Sequence, residues 1–257
     1  DYISRFKEQV YEGFQKVLKS NKKTDAPAAE RLAILIDPDY GQMILNNFAD
    51  AAYTIGVPIE KASSFPVSWL MEDSLYQHLL ERPATWFVKV LWRFHLQMNQ
   101  ENKDIQLSQL HKLNSVCVAL KRKLMVELII PEGYLETGTT LGEAMAEVYE
   151  AGIYPFWWKI TALDSKEEWQ TMTKTLDQYD PEVGVIILGK NAPIEQFQTW
   201  FRVARSTPHT CGFAVGRSIF WEPWEQYVGG KLTIKGIADA VAERYNSVLE
   251  IWSKTQD

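Results

Sequence analysis

Short apolar runs recur along this chain at steps of roughly 30 residues, with an amphipathic helical segment between one run and the next. The runs are 32–36, 52–57, 86–92, 124–130, 156–160, 183–188 and 211–215. Parallel strands need a crossover of a dozen or more residues, so this alternation reads as βαβ units on a parallel sheet. A closed barrel of eight such units takes roughly 250 residues, and the chain has 257. The expected fold is therefore α/β, a (β/α)8 TIM barrel forming a single domain over residues 1–257. Only seven strands are legible, and the chain opens on a helix whose apolar face is Ile3, Phe6, Val10, Phe14, Val17 and Leu18. The eighth strand is expected upstream of Asp1. An open doubly wound sheet is the alternative, but no Gly-rich phosphate fingerprint follows the first legible strand.

Local signals divide the chain further. The polar stretch 20–27 ends the first helix. Leu107, Leu110, Leu113, Cys117 and Leu120 share one helical face, which makes Cys117 a packing residue. Thr140 with Glu143, and Ser165 with Glu168, read as capping boxes opening helices. Thr233 caps the last helix, whose face is Ile234, Ile237, Val241, Tyr245 and Val248.

Composition enters as a filter on partners. With 27 Lys+Arg against 33 Asp+Glu, the formal net charge is −6, the wrong balance for a phosphate-tracking nucleic-acid binder. No apolar run approaches the roughly 18 residues a membrane helix needs, and no signal-peptide pattern opens the chain. Cys117 and Cys211 are the two cysteines, too few for a disulfide framework. The expectation is a cytoplasmic protein with neither nucleic acid nor membrane as partner.

Charged residues inside strands carry the chemical argument. Strands of a parallel barrel are buried on both faces and should read as unbroken apolar runs. Lys89, Glu127 and Lys159 interrupt three successive strands near their C-terminal ends, where barrel active sites are built. A structural ion network is the plain alternative. Two lysines in a water-poor pocket are expected to depress one another's pKa by desolvation and repulsion. A neutral lysine amine attacks carbonyls to form an imine, and a carboxylate such as Glu127 moves the protons. At the far end of the chain, Gly189 and Gly216-Arg217 close two strands, where barrel loops bind phosphate through backbone N–H groups and a basic clamp. Among four histidines only His95 sits just past a strand end, and no pair has metal-ligand spacing, so no metal or organic cofactor is expected. Asp37 and Asp39 flank a proline and read as a shaped loop, and one of Trp157 and Trp158 reads as core.

These residues carry a resemblance. Gly152-Ile-Tyr-Pro-Phe-Trp-Trp-Lys159, Val185-Ile-Ile-Leu-Gly-Lys-Asn-Ala-Pro193 and Gly212-Phe-Ala-Val-Gly-Arg-Ser-Ile-Phe220 resemble the domain C-terminal to a bacterial sugar kinase, the 5-dehydro-2-deoxygluconokinase of myo-inositol catabolism. That domain is similar to class I tagatose-bisphosphate and sulfofructose-phosphate aldolases. The turn Leu35-Ile-Asp-Pro-Asp-Tyr-Gly41, Glu60-Lys61, Lys89 and Glu127 extend the likeness to about residues 32–250. The resemblance implies Lys159 as the Schiff-base lysine, Glu127 as proton shuttle and Lys89 as a carbonyl or hydroxyl contact. It also implies a sugar phosphate held by Arg217, Gly216 and Gly189, with Asp37, Glu60 and His95 as further substrate contacts. The implied reaction cleaves 2-deoxy-5-keto-gluconate 6-phosphate to dihydroxyacetone phosphate and malonate semialdehyde. A kinase domain partner is implied as well, and a homo-oligomer is left open. The chain departs from the pattern at His95-Leu96-Gln97-Met98, where kinase-fused domains tend to read His-Pro-Asp-Asp. Two rival readings stand beside the aldolase: a sugar-phosphate-binding regulatory barrel, and a transaldolase-like transferase.

Overall fold

A computed structural model describes residues 2–21, 32–46, 53–71 and 74–255. In chain order the elements are α1 (Tyr2–Asn21), β1 (Ala33–Leu35), α2 (Pro38–Asn46), β2 (Thr54–Pro58), α3 (Leu75–Leu80), β3 (Phe87–Arg93), α4 (Gln100–Ala119) and β4 (Leu124–Ile129). They continue with α5 (Gly138–Glu150), β5 (Trp157–Thr161), α6 (Lys166–Tyr179), β6 (Gly184–Leu188), α7 (Gln196–Ala204), β7 (Thr210–Ala214), α8 (Arg217–Val228) and α9 (Gly236–Lys254). The seven strands are hydrogen-bonded neighbours in sequence order. The β1–β2, β3–β4, β4–β5 and β5–β6 pairs are parallel. This is the α/β, TIM-barrel-like arrangement that the 30-residue rhythm predicts, with seven strands among the described residues. Residues 22–27 of the polar stretch, and Ala52 of the second apolar run, lie outside the described residues.

Contacts gather the chain into two compact units: Asp1–Gly56 with Gly189–Arg202 and Ala214–Asp257, and Val57–Leu188 with Val203–Phe213. In the first, α1 lies on α9. Phe14, Val17 and Leu18 of α1 are buried, as are Val241, Val248 and Leu249 of α9, the helical spacing of both faces realised as packing. Gly13 is what lets the two backbones approach, since a Cβ there would stand 2.8 Å from Val241 Cγ1. In the second unit, β3 shows the parallel-strand pattern clearly: Val88, Val90 and Trp92 are all but inaccessible to water. The core continues through Leu110, Leu113 and Cys117 of α4 and Trp158 of β5. Cys117 is thus a packing residue, and burial pushes its thiol up to about 12.

One helix start and one capping box differ from the sequence reading. The capping box of α5 lies one turn earlier than Thr140–Glu143. Thr137 Oγ1 accepts from Thr140 N (3.1 Å), and Thr140 Oγ1 accepts from Thr137 N (2.8 Å). The sequence offers threonine at both places, and the earlier start is the one at which the Gly138 N–H meets the Glu168 carboxylate. At α6, Ser165 does cap, accepting from Glu168 N at 3.2 Å. Its box is open, because Glu168 is spent on Gly138. Thr233 Oγ1 accepts from Gly236 N (3.1 Å), but the N-cap position of α9 is Lys235, which has no side-chain cap, so Thr233 braces the turn ahead of the helix.

Candidate active site

Parity along three adjacent strands builds the site, which lies wholly within the second unit. Side chains two apart on a strand share a face, so Phe87, Lys89, Leu91 and Arg93 of β3 fall together, opposite Val88, Val90 and Trp92. The register pairs Leu91 with Glu127, and Glu127 with Lys159. Two residues back, Lys89 pairs with Met125, and Met125 with Trp157. Apart from Lys89, whose ammonium reaches Glu127, the lower level is apolar: Phe87 and Met125 are buried, and Phe87 meets Trp157 edge to face at 5.4 Å. The charged heads therefore stand on a floor that keeps water away from below.

Above that floor runs a chain of alternating charge. Glu60 Oε1 accepts from Lys89 Nζ (2.8 Å), Lys89 Nζ stands 2.7 Å from Glu127 Oε2, and Lys159 Nζ donates to Glu127 Oε1 (2.9 Å). All four side chains are about nine-tenths buried. Glu127, with an oxygen for each lysine, is the hinge of the arrangement. Glu60, two residues past β2, joins it as an ion partner of Lys89, a role the sequence reading did not foresee.

The two lysines are pushed in opposite directions. Burial pulls the Lys89 ammonium toward neutrality, but the flanking carboxylates of Glu60 and Glu127 outweigh it and hold Lys89 above the ordinary lysine value. Lys159 has a single close carboxylate. Burial, helped by repulsion from Lys89, outweighs the attraction of Glu127 and leaves Lys159 below the ordinary value. Glu127 is held down: burial raises it, but Lys159 and then Lys89 pull harder. Mutual depression of both lysines is therefore not what occurs. Only Lys159 is depressed, because the Glu60 carboxylate sits on the Lys89 side.

The remaining expected contacts are distributed as follows. His95, just past β3, is buried and stacked on Tyr134 with ring centroids 4.1 Å apart. Its Nδ1 accepts from Gln97 N (3.1 Å), which places the proton on Nε2. The other four residues belong to the first unit. Asp37 heads α2, accepting from Asp39 N (2.9 Å) and pairing with Lys7 (3.2 Å). Arg217 is the first residue of α8, with Gly216 as its N-cap. Gly189 O accepts from Ser218 Oγ at 3.3 Å, and a Cβ on Gly189 would stand 3.0 Å from that hydroxyl. No group of three or more His, Cys, Asp and Glu residues with the disposition of a metal site occurs among the described residues. Sequence reasoning missed Gln106. Buried on α4, it donates to Arg93 O (2.6 Å) and accepts from Val67 N (2.8 Å), tying the segment after β2 to the end of β3. Its signal was available in the helical spacing of Gln106, Leu110, Leu113 and Cys117.

A family profile described as an uncharacterized protein conserved in bacteria (DUF2090) matches residues 1–256. The chain belongs to the DUF2090 family. No curated protein sequence matches it. Solved structures do resemble this DUF2090 protein. A fructose-bisphosphate aldolase from Plasmodium falciparum aligns with TM-score 0.61 at 12% identity, over 86% of this chain and 77% of that one. The fructose-bisphosphate aldolase of Slackia heliotrinireducens aligns with TM-score 0.60 at 10% identity, over 97% and 77%. An archaeal fructose 1,6-bisphosphate aldolase aligns with TM-score 0.54 at 13% identity, over 84% and 77%. At these identities the likeness establishes a shared fold, and function rests on the site.

Proposed function

We propose that this DUF2090 protein is a class I aldolase, with Lys159 as the imine-forming nucleophile. The observation that carries the reading is the bridge made by Glu127, one oxygen on a lysine held charged and the other on a lysine inclined to neutrality. A merely structural ion network has no need of that asymmetry. An aldolase needs it. The neutral Lys159 amine adds to a substrate ketone, and Glu127 relays the protons that let the carbinolamine lose water. A β-hydroxyl then gives up its proton, the carbon–carbon bond breaks, and its electron pair moves into the iminium to leave an enamine and a free aldehyde. Charged Lys89 stabilises negative charge developing on the substrate oxygen. The fold shared with fructose-bisphosphate aldolases supports the same reading.

The finer proposal is a phosphorylated keto-sugar acid, 2-deoxy-5-keto-gluconate 6-phosphate, giving dihydroxyacetone phosphate and malonate semialdehyde. Arg217, Gly216 and Gly189 are the proposed phosphate contacts, and Asp37, Glu60 and His95 the proposed contacts to the rest of the substrate. The chemistry asks for neither a metal nor an organic cofactor, since the iminium is its own electron sink. The deciding experiment is incubation with dihydroxyacetone phosphate and borohydride, followed by mass mapping of the adduct. A reduced adduct on Lys159 is expected. An adduct on Lys89 moves the nucleophile, and no adduct with ligand bound turns the protein into a binding module.

A further inference from the structure

Arg93 occupies the last position of β3, on the face that carries Lys89. It lies two residues further toward the strand's C-terminal end than Leu91, the residue level with Glu127. Two residues of strand span about 6.6 Å, roughly the length of a two- or three-carbon fragment extending from a carbon bound at Lys159. Burial along β3 changes at this end: Phe87 to Val90 are buried, whereas Leu91 and Arg93 are partly open. The backbone there is fixed, because Gln106 Nε2 donates to Arg93 O at 2.6 Å.

The guanidinium itself is nearly unspent. Its contact to another residue is Nη1 to Ser64 O at 3.4 Å, long for a hydrogen bond. No carboxylate pairs with it among the described residues. The adjacent ion chain is closed by contrast: Glu60 and Glu127 are engaged by Lys89 and Lys159. In a chain of net charge −6, a half-buried cation with most of its five donors unused, beside a ketone-binding lysine, is placed for an anionic ligand group. A planar fork of this kind takes an oxyanion through two parallel hydrogen bonds.

We propose that Arg93 recognises an oxyanion, carboxylate or phosphoryl, on the aldehyde half of the substrate. The inference rests on the aldolase reading and deepens it: the aldehyde product is an acid, and Arg93 is the residue that selects for this. Its role is specificity, exercised in binding the aldehyde, with no part in forming the imine.

The test uses the full chain and runs the reaction toward condensation. Dihydroxyacetone phosphate is the donor; glyoxylate, glyceraldehyde 3-phosphate and uncharged glyceraldehyde are the acceptors. Arg93→Gln is expected to lower kcat/KM at least tenfold with whichever charged acceptor the wild type prefers, mainly through KM. It should leave glyceraldehyde and borohydride trapping on Lys159 within about twofold. Arg93→Lys, which keeps the charge but loses the fork, should fall between. The preferred acceptor separates carboxylate from phosphoryl recognition. Equal loss with all three acceptors, or loss of trapping, makes Arg93 structural and overturns the proposal, as does an unchanged preference for charged acceptors. Malonate and inorganic phosphate, titrated calorimetrically, keep the question separate from turnover. If wild-type protein gives no adduct, the aldolase reading has failed, while at least tenfold weaker malonate or phosphate binding by Arg93→Gln still upholds anion recognition. Equal binding by both proteins overturns it.

Discussion

Lys159 and Lys89 differ by one neighbour, and that difference sets what each can do. Among the described residues Lys159 has Glu127 alone within ion-pair distance, whereas Lys89 has Glu127 and Glu60. A free amine is the attacking species, so adduct formation rises with pH as Lys159 loses its proton. Because burial holds Lys159 below the ordinary lysine value, that rise comes earlier than for a solvated lysine. Lys89→Met removes a repelling cation, so the Lys159 pKa moves up and the rising limb shifts to higher pH. At pH 7 the borohydride trapping rate should fall by about tenfold or more. Glu127→Gln removes the attraction that favours charged Lys159, so its limb shifts to lower pH even as proton shuttling is lost. Opposite shifts in the two pH profiles are the expected signature; shifts of the same sign remove the electrostatic account. Lys159→Arg should keep the fold, seen as an unchanged circular dichroism spectrum. It should abolish trapping, since a guanidinium stays charged at every working pH.

At the scale of elements, α5 and α6 meet through backbone. A Cβ on Gly138 would run into the carbonyl of Glu168 and stand 2.8 Å from its carbonyl carbon. A main-chain group at a helix start cannot swing aside as a side chain can. Gly138→Ala should therefore cost about 2–3 kcal/mol, read as a lower urea midpoint with unchanged slope. A loss below about 0.5 kcal/mol would show that the two helices slide freely. This close approach also explains why the start of α5 was misplaced in the sequence. Thr137 and Thr140 are both good caps by type, and what decides between them is a neighbour 30 positions along the chain. Strands were far more legible, because an apolar run such as Val183–Leu188 reports its own burial; the ends moved by about one residue, as fraying ends do. The ion chain was legible in its members Lys89, Glu127 and Lys159 but not in its order. Order depends on register, and the register between β3 and β4 is not a local property of either strand. Glu60 enters the sequence reading through the resemblance alone, so its pairing with Lys89 and the upward shift of Lys89 could not be foreseen.

At the scale of the whole molecule, the first and last helices of the sequence close one unit, a contact of the longest range the chain can make. Spacing revealed the apolar face of each, but nothing in either face names the other as its partner. Gly13 is the residue that betrays the contact in the structure, and Phe14 is the one that anchors it. Phe14 is 5% exposed, with its ring edge-on to Tyr53 at 5.0 Å and near Tyr245 at 6.3 Å. Truncating a buried phenylalanine costs about 3–5 kcal/mol through lost burial and the cavity left behind. An aromatic pair of this geometry adds about 0.5–1.5 kcal/mol. Phe14→Ala should thus remove a large share of the 5–15 kcal/mol that typically holds a folded protein, and Gly13→Val should cost about 1–3 kcal/mol by driving α1 from α9. Urea titrations of both variants against wild type read the effect directly. Two losses of this size mean that α1 is part of the folded core of its unit. A loss under about 1 kcal/mol in Phe14→Ala means that α1 is dispensable, and the packing of first helix on last is then decoration on a fold complete without it.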